Sequence, residues 1–157
     1  MARALSERLL HELTSIREEL KHELERVSDA ELDWAPSEGM KSYRAQIQEI
    51  GAMTAETTTV LTEGRIPSWE EAEAKVRGES VAELVASLDE TLATLLSHLR
   101  AGFCEEPIAI PEEWEAFFGT AILEPEELVR WIARHEYYHL GQIVTYNWIR
   151  GKNPYKP

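Results

Sequence analysis

The sequence predicts an all-α protein, a four-helix bundle with a short extra helix and a long loop before the last helix. Three observations carry this. Four long stretches place apolar residues at alternating three- and four-residue steps, the spacing that lines one face of a helix. Breaks rich in Gly, Pro and Ser separate them at PSEG (36–39), GRIPS (64–68), RGES (77–80) and GKNP (151–154). Strand signals are almost absent, and four amphipathic helices without a sheet must bury their stripes against one another.

The first helix spans roughly 3–27, with Leu5, Leu9, Leu13, Ile16, Leu20 and Leu24 as its stripe. The second, roughly 41–63, repeats the pattern with Tyr43, Ile47, Ile50, Thr54 and Leu61. A short acidic helix follows from Ser68, a good N-cap with Glu70 and Glu71 in the first turn, to about Arg77. The third long helix starts near Ser80, carries Val81, Leu84, Leu88, Leu92, Leu95 and Leu99, and ends at Gly102. Residues 103–125 hold Pro107, Pro111 and Pro125 around the aromatic cluster WEAFF and read as a long packed loop with a short strand or helical turn at 112–118. In it Trp114, Phe117 and Phe118 are expected to cap the bundle, with a lid over a site as the functional alternative. The fourth long helix runs from about Pro125, a favourable first helical residue, to Arg150, and Gly151 ends it. Its inward stripe is Leu128, Ile132, His135, His139, Gln142 or Ile143, Tyr146 and Ile149.

At 157 residues the chain is one domain, 1–157, with enough length for a single core. The formal net charge of -13 argues against nucleic acid or an anionic membrane as partner, since both demand basic patches. No run reaches the length needed to span a bilayer. The N-terminus, charged throughout, lacks the pattern of a signal peptide, and the single cysteine, Cys104, leaves no internal disulfide. Both features point to the cytoplasm.

The motif with chemistry in it is HEYYH at 135–139. Its spacing is the H-E-x-x-H of zinc proteases, in which two histidines on one helix face share a metal and the glutamate acts as general base. Those enzymes take a third ligand downstream, yet from Leu140 to Pro157 there is no His, Asp or Glu. The protease reading therefore fails, but the metal reading survives. A single histidine on an inward stripe is usually a satisfied core residue; two in register are costly to bury unless each finds a partner, and one cation satisfies both. Any further ligand must come from upstream. His11 and His22 fall off the stripe of the first helix and read as solvated, while His98 beside Leu99 is the least remote of the histidines. Glu49 sits at the edge of the core in the row Gln46, Glu49, Met53, where spacing alone favours a hydrated boundary glutamate. Glu136 lies about 100° around the helix from His135 and reads as mostly structural, with a supporting contact to the site possible. Tyr146 reads as core, Tyr138 as facing a neighbouring helix or solvent, and Gln142 as packing or a hydrogen bond to substrate.

These features resemble the DinB/YfiT-like superfamily of small four-helix metal-binding proteins, which includes bacterial thiol-dependent S-transferases. The resemblance covers nearly the whole chain. It is carried by LERVSDAELDWAPSEGMKS (24–42) and, more specifically, by HEYYHLGQI (135–143), which couples the paired histidines to a Gly-Gln-hydrophobic run. It implies a divalent metal on His135, His139 and a third residue early in the second helix. The family usually has histidine there; the segment SYRAQIQEIGAMTAE places Glu49 at that position. Two histidines and a carboxylate suit zinc and non-haem iron, and the carboxylate shifts preference toward harder ions such as Mn, Fe or Ni. The resemblance further implies a homodimer and a small-molecule substrate. The expected activity is metal-dependent transfer of a low-molecular-weight thiol, or hydrolysis. The competing expectation is a metal-free, non-enzymatic dimeric bundle, an interaction or stress-response module, with Glu49 protonated or paired to a residue such as Arg134.

Overall fold

A computed structural model describes residues 2–101, 106–110 and 112–153, without the side chains of residues 2–6. Leu5 is among those side chains, and Gly102, Cys104, Pro111 and Pro154 lie outside the described residues. The elements in chain order are α1 (Ala2–Leu24), α2 (Tyr43–Glu63), α3 (Trp69–Glu73), α4 (Val81–Ala101), β1 (Ile108–Ala109), α5 (Glu112–Phe118), β2 (Ile122–Leu123) and α6 (Pro125–Ile149). The all-α bundle with a short extra helix is thus the fold.

Local chemistry sets the boundaries. Ser42 and Ser68 cap α2 and α3 by accepting from the N–H of Ala45 and Glu71. Ser80 and Glu83 form a reciprocal cap at α4, the Ser80 hydroxyl taking the Glu83 N–H and the Glu83 carboxylate taking the Ser80 N–H. Gly64 closes α2 at φ +67°, a left-handed conformation that costs a glycine little. The stretch before α6 is more ordered than a loop: α5 is a helix of two turns, bracketed by the antiparallel pairs Ile108↔Leu123 and Ala109↔Ile122.

The four long helices pack as two parallel pairs. Arg17 of α1 meets Glu136 of α6 and, further along both, Glu23 meets Asn147. Likewise Arg44 at the start of α2 bonds the carbonyl of Gly78 just before α4, and the far ends of those helices share a groove lined by Thr62, Thr94 and His98. Between the pairs, α2 and α6 run antiparallel: Tyr43 bonds Asn147, Glu49 faces His135 and His139, and Val60 packs in one cluster with Leu128. The core between the helices holds Leu9, Leu13, Leu20, Ile47, Leu88, Leu95 and Ile143.

Close packing of α2 against Val76, in the connection before α4, and against Leu88 of α4 depends on Gly51. A Cβ there would lie 2.2 Å from Cγ2 of Val76 and 3.0 Å from Cδ2 of Leu88. Gly51→Ala is therefore expected to destabilise by about 1–3 kcal/mol through overpacking, read as a lower urea midpoint with unchanged slope.

Polar side chains also enter the interior. Arg17 and Glu136 are almost wholly buried and pair with each other across the core, Nε to Oε1 at 2.6 Å and Nη2 to Oε2 at 3.2 Å, and Arg17 Nη1 donates to the carbonyl of Leu88. Glu56 is buried with no ion pair among the described residues, and burial pushes its carboxyl above the usual range. A carboxyl whose folded pKa is raised costs stability at neutral pH, and the cost fades as pH falls through that pKa. Glu56→Gln is expected to raise the urea midpoint at pH 7, the gain vanishing below about pH 4 where both states carry the protonated acid.

One expectation for α6 needs correction. Ile149, placed on the inward stripe, is 59% exposed. Asn147 instead points inward, bonding the Glu23 carbonyl and Tyr43 near the end of α1, so by residue 149 the helix has run past the neighbours that would cover it. Of Gln142 and Ile143, it is Ile143 that is fully buried. Among the described residues, no helix is long and apolar enough to cross a membrane.

Candidate metal centre

The one-turn separation of His135 and His139 on α6 brings their Nε2 atoms to 3.2 Å from each other. The antiparallel crossing of α2 supplies Glu49 opposite them. Its Oε1 lies 3.7 Å from His135 Nε2 and its Oε2 3.6 Å from His139 Nε2. One ligand atom from each of the three residues falls within 4.8 Å of the others. The trio named from sequence and resemblance is thus brought together at one point.

Electrostatics prepare the trio for a cation. Burial, and then the neighbouring His135, pull the His139 imidazole down to about 4; burial also lowers His135. Both rings are consequently neutral at pH 7, each with one unprotonated ring nitrogen. Burial would raise the Glu49 carboxyl, but the hydrogen bond from the Lys41 ammonium and the nearby histidines outweigh it and hold the group below its ordinary value. Two neutral imidazoles and one carboxylate around a common point form an N2O set that divalent transition metals accept. His139 Nδ1 is buried and has no hydrogen-bond partner, so the ring is not anchored from behind in the way that ligating histidines usually are. The three donors fit a divalent ion; the outer support is incomplete.

Lys41 was not anticipated. It stands one residue before the N-cap of α2, where helical periodicity says nothing, and its backbone carbonyl is fixed by the Tyr146 hydroxyl at 2.9 Å. It, and not Arg134, is the cation paired to Glu49. Glu136 has the structural role expected of it, since Arg17 occupies both its oxygens. His11, His22 and His98 are exposed, and His98 lines a separate groove between α2 and α4.

The trio lies against a cavity of about 620 Å³, whose walls include Met40, Trp131, Tyr138 and Tyr146. Tyr146 is core as expected, while Tyr138 is exposed at the rim and its hydroxyl accepts from Gln142. Phe117 and Phe118 stack edge-on against Trp131 at 4.7 and 5.8 Å, and Trp131 in turn lies 6.0 Å from the His135 ring. The α5 aromatics therefore cap the bundle end next to the site and reach it through Trp131. Sequence reading missed Trp131, although its position four residues before His135 on the same helix is the available signal.

A search of curated proteins found no match. The DinB superfamily model matches residues 12–143, a span that includes Glu49, His135 and His139. With an all-α bundle of this topology and the match over most of its length, the chain belongs to the DinB superfamily.

Proposed function

We propose that this chain is a divalent-metal-dependent enzyme acting on a small molecule, by transfer of a low-molecular-weight thiol or by hydrolysis. One observation carries the reading: Glu49, His135 and His139 converge beside a cavity that opens to solvent. Three protein ligands leave room for a reactant, which distinguishes catalytic from structural centres. A bound Zn, Ni, Mn or Fe ion would supply Lewis acidity toward a water or a thiol held there. The chain's own residues do the rest. Burial keeps both imidazoles neutral, the Lys41 ammonium holds the Glu49 carboxyl below its ordinary value, and Trp131 and Tyr138 form part of the cavity wall. Glu136 cannot serve as general base, because Arg17 holds both oxygens and no solvent reaches it, so the protease route has no base.

A metal-free reading has one observation in its favour: the Lys41 ammonium already balances Glu49. On that reading the bundle is a non-enzymatic module pairing with a second copy of itself. Elemental analysis of tag-free protein, purified without chelator, decides between them. About one equivalent of metal per chain is expected. Product that needs both metal and a thiol, from a chromogenic electrophile, identifies S-transfer; product that needs metal alone identifies hydrolysis. No retained metal after incubation with each ion returns the metal-free reading.

A further inference from the structure

The mouth of the cavity carries charge that the rest of the chain does not predict. Against a net charge of -13, the cavity lining includes two cations, Lys41 and Arg134, and a single carboxylate, Glu49. Elsewhere several arginines meet acids: Arg17 pairs with Glu136, Arg44 with Asp33, Arg65 with Glu71, Arg130 with Glu126 and Arg150 with Glu31, while Arg77 and Arg100 are exposed without a carboxylate partner among the described residues; what sets Arg134 apart is its place at the cavity. Arg134 has no carboxylate partner among the described residues, though it sits one turn beyond the paired Arg130 on an acidic protein. Its guanidinium is exposed at the rim, one residue before His135. Lys41 has one acidic partner, Glu49, and a cation at the trio competes for that same carboxylate. A cation held at the centre would weaken the hold of Glu49 on Lys41 and leave two positive groups at the mouth. The adjoining surface is apolar: Met40 is 47% exposed and Tyr138 61% exposed, beside Trp131.

We propose that the cavity selects small molecules that join an anionic group to an apolar or aromatic body, with Arg134 as the specificity-determining residue and Lys41 assisting once the centre is loaded. The inference rests on reading the cavity as a substrate site. A planar guanidinium without an internal partner is suited to two parallel hydrogen bonds with a carboxylate, phosphate or sulfonate. The neighbouring rings take the apolar body, the usual division of labour in small-molecule sites. An opposite charge at a cleft mouth also raises the local concentration of such ligands.

The test uses benzylsulfonate and its neutral counterpart benzyl methyl sulfone, because a sulfonate is a poor metal ligand and reports the rim instead of the centre. Dissociation constants come from ligand-observed NMR and Trp fluorescence, on zinc-treated and zinc-free full-length protein. The sulfonate is expected to bind about tenfold more tightly than the sulfone. Arg134→Gln should reduce the ratio to within about twofold, while Arg100→Gln, an equal charge change on α4, should leave it intact. Equal binding of the two probes, no saturable binding of the sulfonate, or a ratio that survives Arg134→Gln each overturns the proposal. Metal content is measured on the same samples. An Arg134-dependent ratio in protein that retains no metal after incubation with each of Zn, Ni, Mn and Fe supports the anion subsite while removing the metal-dependent function, so the two readings fail separately.

Discussion

Arg17→Ala is expected to destabilise the protein by about 3–5 kcal/mol, lowering the melting temperature by roughly 10 °C or more. The substitution leaves the Glu136 carboxyl fully buried and without its partner, and removes the Arg17 donor from the Leu88 carbonyl of α4, which keeps the Thr91 hydroxyl. Three helices thereby lose a shared polar anchor. The loss comes from stranding a buried carboxyl, so replacing both partners should differ from replacing one. Arg17→Met combined with Glu136→Leu fills similar volume without charge and is expected to recover most of the stability. Urea denaturation of the two singles and the double completes the cycle. A single-variant loss under about 1 kcal/mol would mean that the pair is held by its surroundings and contributes little. Because Glu136 supports the helix and takes no part in the proposed chemistry, the double variant should also keep its metal.

Removing both imidazoles, His135→Ala with His139→Ala, should abolish stoichiometric metal while leaving the far-UV circular dichroism unchanged. Each ring contributes one of three donor atoms, and loss of even an outer-support partner typically weakens a site by about 10–100-fold, so loss of two ligands exceeds that. A second readout follows from linkage. Metal at a hundred times its dissociation constant stabilises the folded state by about 2.7 kcal/mol, so added zinc should raise the melting temperature of the wild type and not that of the variant. Glu49→Ala should fall between the two, since both histidines remain. Full metal occupancy in the double-histidine variant would sink the assigned centre.

Much of this was legible in the chain. Heptad-like steps of leucine and isoleucine gave α1, α2, α4 and α6 within a few residues, because burial of one face leaves a 3.6-residue imprint in sequence. The paired histidines were legible for the same reason, being a polar interruption of an apolar stripe. Glu49 came from resemblance, because spacing alone puts it at a hydrated boundary. Arg17 went unremarked despite following Ile16 directly on the buried face. Its role depends on Glu136, which lies 119 residues away and meets it only across the folded core. Lys41 and Arg134 are surface types by any periodicity rule; what gives them meaning is a cavity assembled from a loop and a distant helix. Such information exists in tertiary structure and has no local imprint.

Part of the mouth lies apart from the ligands, although Trp131, Arg134 and Tyr138 share α6 with the two histidines. Glu49, His135 and His139 project from the interiors of α2 and α6, two helices locked by the core, whereas Gly39, Met40 and Lys41 come from the connection before α2, and α5 touches the site only through Trp131. The part of the rim built from that connection and from α5 can therefore diverge independently of the floor in evolution. Changes of sequence or length in residues 36–41 or in the α5 segment would alter which molecules are admitted without disturbing the donor atoms, since connections tolerate change that helices in a packed core do not. An architecture divided in this way would let a single donor set be kept while the surface beside it changes, with the innovation confined to a few exposed residues.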